Sequence, residues 1–148
     1  MKTLLCRIFQ LGMKLGYYLI PVRTPELITG EGCVQTLAQP LLDRGVTHPL
    51  VVTDSGLSQL GLPDGMVESL RAAGLSVTVY DGVQPNPTDV DVEDGLQLYR
   101  DAGCDGIIAF GGGSPMDCAK AIGARAVRPK QSIAKMQGLF GVLHRLPP

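Results

Sequence analysis

Between residues 25 and 130 short apolar runs alternate with amphipathic stretches, and glycines or prolines mark the joints. Glu26–Gly30, after Pro25, predicts a short strand, and Val34, Leu37 and Leu41 predict a helix that Pro40 should kink or interrupt. Leu50–Asp54 predicts a second strand, with Ser55-Gly56 turning the chain. Met66, Leu70 and Ala73 give a helix opened by Pro63-Asp64 and closed by Gly74. Leu75–Tyr80 alternates as a third strand and should end at Asp81-Gly82. Val83–Thr88 is a stiff loop with two prolines, and Thr88 is placed to cap the next helix. Asp89, Asp91, Glu93 and Asp94 load the first turns of that helix, where negative charge suits the macrodipole. Val92, Leu96 and Tyr99 supply its buried stripe, and Gly103 ends it. Asp105–Phe110 reads as a short, fully buried strand, and Ala119, Ile122 and Ala126 then recur at helical spacing.

Four strands alternating with helices imply an α/β fold, a parallel sheet with helices on both faces. Such sheets bind ligands at the carboxyl ends of their strands, and three polar candidates fall there: Asp54, Asn86 and the turn Gly111-Gly112-Gly113-Ser114. Ser114 is placed to cap the last helix, Pro115 to take its first position, and Asp117 to complete a variant capping box. Glycine backbone ahead of a helix start is how a chain cradles phosphate. An acid ending a strand can hold both hydroxyls of an adenosine ribose and would repel a 2′-phosphate. Local sequence leaves plainer readings open: a tight turn at the glycines, an Asx-turn at Asp54, a simple turn at Asn86.

Composition narrows the setting. With 148 residues the chain is one domain's worth, and 45% hydrophobic residues suffice for a packed core. A formal net charge of −1 gives no electrostatic case for nucleic acid. The four cysteines, Cys6, Cys33, Cys104 and Cys118, form no C-x-x-C pair and no zinc spacing with His48 or His144. Cys33 and Cys118 fit helix faces as small buried hydrophobes, and a cytoplasmic location is the expectation. Residues 1–20 are interrupted by Arg7, Gly12, Lys14 and Gly16 and are expected to be a lead-in segment rather than a membrane span.

Val51-Val52-Thr53-Asp54, Tyr80-Asp81-Gly82-Val83 with Pro85-Asn86-Pro87-Thr88, and Gly103–Gly123, above all its GGGSPMDCAKAIG at 111–123, resemble the iron-containing (group III) alcohol dehydrogenases. The similarity runs over about residues 20–148 and is to the N-terminal NAD-binding domain of that family. Glycerol dehydrogenases and dehydroquinate synthases share the glycine turn but differ in the Ser-Pro-x-Asp after it. The resemblance implies a Rossmann-like sheet of the dehydroquinate synthase N-terminal type, with residues 1–20 as lead-in and 21–130 as the dinucleotide domain. Residues 131–148 would be a tail toward a second, helical metal domain that the chain is expected to lack. It implies NAD on Gly111, Gly112, Gly113 and Ser114, with Asp54 at the adenosine ribose and Asn86 and Asp117 completing the pocket. A divalent metal, iron or zinc, is expected only in the full-length enzyme, and no metal ligand or catalytic residue is assigned here.

The resemblance further implies hydride transfer between NAD and a small alcohol or its carbonyl product, in a homodimer without membrane or nucleic-acid partners. The chain alone is expected to be inactive. A non-catalytic nucleotide- or partner-binding fragment and a portion of a glycerol-type polyol dehydrogenase stand as alternatives.

Overall fold

A computed structural model describes residues 25–136 and, before them, Cys6, Arg7, Gln10, Leu11, Gly12 and Lys14. The rest of the 1–20 lead-in and the tail beyond Met136, with His144, lie outside the described residues. The elements below all belong to the second of two units, Glu31–Pro148.

Strand β1 (Pro49–Asp54) is the centre of a three-stranded parallel sheet, flanked by β2 (Thr78–Val83) and β3 (Gly106–Ala109) in the order β2-β1-β3. Its near-continuous apolar sequence suits a strand covered on both faces. Leu50, Val51 and Val52 are all fully buried. Leu50 and Val52 pack with Val92 and Leu96 of α4 (Asp89–Asp101) and with Cys118, Ala119 and Ile122 of α5 (Gly113–Val127). Val51 faces the other way, onto Met66, Val67 and Leu70 of α3 (Asp64–Ala72) and Leu41 of α1 (Ala38–Leu42). Each fully buried Leu, Ile or Val stabilises this two-sided core by about 1.5–3 kcal/mol.

Helix ends follow the sequence closely. Gly74 (φ +90°) and Gly103 (φ +68°) take the left-handed conformation that closes α3 and α4. The next residue then bonds back across the end, Leu75 N to Leu70 O at 3.1 Å and Cys104 N to Tyr99 O at 2.9 Å. At the start of α4 the Asp91 carboxylate, only 8% exposed, accepts from Thr88 N (2.6 Å) and Thr88 Oγ1 (2.9 Å). That capping box accounts for one of the four acidic residues near the helix start.

Several expectations are corrected. Glu26–Gly30 forms no strand: Leu27 is 85% exposed, and no described strand pairs with the segment. A strand needs a neighbour for its N–H and C=O groups, so the described sheet has three strands rather than four. The first helix breaks before Pro40, into a 3-10 turn (Cys33–Thr36) and α1, because Pro40 sits in the first turn of α1, where a missing N–H is tolerated. Cys33 on that turn is half-buried, whereas Cys118 is fully buried as expected.

The third strand begins at Thr78, later than its alternation suggests, and runs through Asp81-Gly82 instead of ending there. A bulge accounts for this, since Val52 pairs with Tyr80 but Asp54 pairs with Val83, an extra residue on β2. Gly82 is needed at the bulge because a Cβ there would stand 2.9 Å from Tyr80 Cε2. Strand β3 is an edge, not fully buried: Ile107 and Ile108 are half-buried and Ala109 is exposed. Ser55-Gly56 does not simply turn the chain but opens a short helix, α2 (Ser55–Gln59). Helix α5 starts at Gly113 with Gly112 as its cap residue, so Ser114 does not cap it and Pro115 holds the third position. Met116 N bonds to Gly112 O at 3.3 Å, which fixes that start. The Ser114–Asp117 capping box is therefore not formed.

Candidate functional site

The parallel strands all end on one side of the sheet, and the segments leaving them line a cleft of about 410 Å³. Asp54 lines it at the end of β1 with Ser55 and Gly56 after it, Val83 at the end of β2 with Gln84 and Pro85 after it, and Gly112, Gly113, Ser114 and Pro115 follow β3. The sheet order sets the layout, with the carboxylate in the middle and a helix start to one side.

Asp54 leaves the central strand in extended conformation (φ −104°, ψ 160°), and its Oδ1 accepts from Leu57 N at 3.0 Å. The Asx-type capping reading is thus correct, and the same carboxylate also lines the cleft. Capping α2 engages Oδ1 alone, so the cap and a place on the cleft wall are compatible.

The glycines divide by role. Gly111 has φ +134°, and a Cβ on it would stand 2.8 Å from Leu57 Cδ1 and 3.0 Å from Pro115 Cγ. The fold itself requires glycine there, and Gly111 is not part of the cleft wall. Gly112 and Gly113 have nothing within 4 Å of an added Cβ, so the space over their backbone is open. No side chain caps α5, and its first turn carries no acidic residue. With proline at the third position, the unpaired donors at this end are the N–H groups of Gly112, Gly113 and Ser114. Backbone donors, a positive helix end and open space fit an anionic diphosphate, and the Asp54 carboxylate fits a neutral diol.

Asn86 stands beside the cleft, exposed, with φ 58°, next to Pro85 of the wall but not on the wall itself. Asp117 lies outside the lining, its side chain 72% exposed and 3.6 Å from Lys120 Nζ. The structure therefore brings together Asp54, Gly112, Gly113 and Ser114 and leaves Asn86, Gly111 and Asp117 off the wall. It adds Ser55, Gly56, Val83, Gln84, Pro85 and Pro115, which lie at or after strand ends in the sequence and were findable by that position alone.

Among the described residues the wall carries no Cys, Tyr, Lys or His. The Cys118 thiol lies in the core, where burial, then the charge of Asp91, pushes its pKa to about 11. Tyr80 is pushed to about 12, first by burial and then by Cys118 and Asp91, while its hydroxyl donates to Asp91 O at 2.8 Å. Among the described residues no three His, Cys, Asp or Glu side chains gather as a metal site. No helix among them is long and apolar enough to cross a membrane.

Residues 24–145 match the family described as iron-containing alcohol dehydrogenase. Lactaldehyde reductase of Escherichia coli (strain K12) is 40% identical over 111 residues, 74% of this chain and 29% of that protein. The 1,3-propanediol dehydrogenase of Citrobacter freundii is 44% identical over 121 residues, 80% of this chain and 31% of the relative. A solved 1,3-propanediol oxidoreductase superposes with a TM-score of 0.76 at 38% identity, over 80% of this chain and 31% of its own. The chain thus spans less than a third of the length of these relatives.

Proposed function

The chain belongs to the iron-containing alcohol dehydrogenase family, and from that premise we propose that its cleft binds NAD for the interconversion of a small alcohol and its carbonyl. One observation carries the reading: a strand-end carboxylate and an uncapped helix start face the same cleft. The N–H groups of Gly112, Gly113 and Ser114 hold the pyrophosphate, and the helix dipole adds to them. Asp54 accepts hydrogen bonds from the adenosine ribose hydroxyls and repels the 2′-phosphate of NADP. Bound NAD supplies hydride transfer at its nicotinamide ring; the residues described here bind and orient it. Asn86 stands at the rim, and the reading does not require Asp117 to touch the phosphates.

We read residues 21–130 as the dinucleotide domain, with a lead-in before it and a tail after it. The substrate class follows the names of the two relatives, a hydroxyaldehyde and a diol, which also keeps the polyol reading within the proposal. The described residues do not fit a divalent metal, so no step is derived through one. A reducing cytoplasm suits the four free cysteines.

Calorimetric titration of the chain with NAD and with NADP tests the reading, beside an Asp54→Ala variant. Saturable NAD binding, weaker NADP binding and loss of that preference in the variant are expected. A folded chain that binds neither dinucleotide overturns it. Among the described residues the cleft wall holds no Lys, Arg or His to polarise a carbonyl, and little turnover is expected from the chain alone. Steady NADH formation from an alcohol panel with added ferrous or zinc ion would contradict that.

A further inference from the structure

We propose that Leu57 is a positioning residue that couples the two poles of the cleft, holding Asp54 with its backbone and the glycine turn with its side chain. The inference rests on the dinucleotide reading above and adds to it a residue that lies outside the cleft wall. Leu57 N donates to Asp54 Oδ1 at 3.0 Å, so the third residue of α2 sets where the carboxylate points. The same residue's Cδ1 stands 2.8 Å from the point a Cβ on Gly111 would occupy, with Pro115 Cγ 3.0 Å from that point. Leu57 and Pro115 therefore close on Gly111 directly before the donors of Gly112, Gly113 and Ser114. Leu57 O in turn accepts from Leu62 N at 3.2 Å, which anchors α2 at its far end. Leu57 is half-buried, as a spacer between two functional segments should be.

The two contacts come apart by mutation. Leu57→Ala keeps the N–H that orients Asp54 and removes the methyls that hold the turn. Phosphate donors should then drift while the ribose carboxylate stays. The experiment titrates the full chain, wild type and Leu57→Ala, with adenosine, ADP and NAD, using ligand-observed NMR for weak adenosine binding. ADP and NAD should weaken about tenfold, the worth of one well-placed hydrogen bond to a charged group, with adenosine nearly unchanged. Leu57→Met, which refills the space, should regain most of the ADP affinity.

Equal weakening of adenosine and ADP would indicate general loosening and overturn the proposal, as would ADP affinity unchanged in Leu57→Ala or not regained in Leu57→Met. Should Leu57→Ala not fold, Leu57→Val, which trims the same contact less, is judged by the same outcomes. A folded wild type that binds neither ADP nor NAD overturns the dinucleotide reading and this proposal with it. Wild-type binding with an indifferent Leu57→Ala removes only the role of Leu57.

Discussion

Gly95 shows how one missing methyl can set the distance between two helices. It lies buried on α4, where an added Cβ would stand 2.5 Å from Ile122 Cδ1 and 3.0 Å from Tyr80 Cε1. Alanine there would bring back about 1 kcal/mol of helix propensity. Overpacking a close-packed core costs about 1–3 kcal/mol, and Ile122 is fully buried with little room to yield. The clash should win, and Gly95→Ala is expected to lose about 1 kcal/mol in urea denaturation. Adding Ile122→Val removes the offending methyl and should recover part of the loss; a double variant no better than the single one would place the strain elsewhere. Glycine content alone could not separate this packing role from the strained Gly111 or from Gly112 and Gly113. The distinction depends on which atoms lie opposite, and those come from distant parts of the chain.

At the scale of elements, what was legible in the sequence was what neighbouring residues decide. Gly74 and Gly103 end their helices, and Thr88 caps α4, because each motif closes within a few residues. The bulge in β2 was hidden because it depends on the register against β1 and on the Tyr80 ring over Gly82. Ser114 looked like a cap because its type suits one, yet α5 begins earlier, at Gly113, and no side chain caps it. Asp105 is another long-range link. It accepts from Thr47 N (2.8 Å), Thr47 Oγ1 (2.6 Å) and His48 N (2.8 Å), tying the residues before β1 to those before β3.

Burial alone would raise the Asp105 pKa, but the bonds from Thr47 and His48 outweigh it and hold the carboxyl below its ordinary value of 3.8. Below that value the unfolded chain takes up a proton that the folded chain does not, so stability rises with pH there. The stabilisation is complete above pH 3.8 and is lost as pH falls through the folded pKa. Asp105→Asn should be less stable than wild type at neutral pH, with the difference shrinking in acid. Denaturation midpoints across that window check it, and a gap that widens on acidification would contradict it.

Across the whole molecule, the side of the sheet that carries the candidate cleft was legible and the cleft's wall was not. Parallel strands put all their carboxyl ends on one side, which made Asp54 and the glycine turn neighbours before any coordinates. Asp117 was expected in the pocket from the family resemblance; its side chain is exposed, beside Lys120. The uncapped start of α5 has a consequence for the protein's lifetime. Cys118, Ala119 and Ile122 of that helix lie in the main core, so whatever closes its first turn also secures the layer beneath. A ligand bound only by the folded chain adds about 2.7 kcal/mol at a hundredfold excess over its Kd. On the proposed NAD binding, the thermal midpoint should climb with NAD, and with ADP, more than with NADP; a midpoint indifferent to all three would contradict the coupling. If the proposed binding holds, the nucleotide is also a clasp on the fold, and chains made where it is scarce should be cleared sooner by proteases.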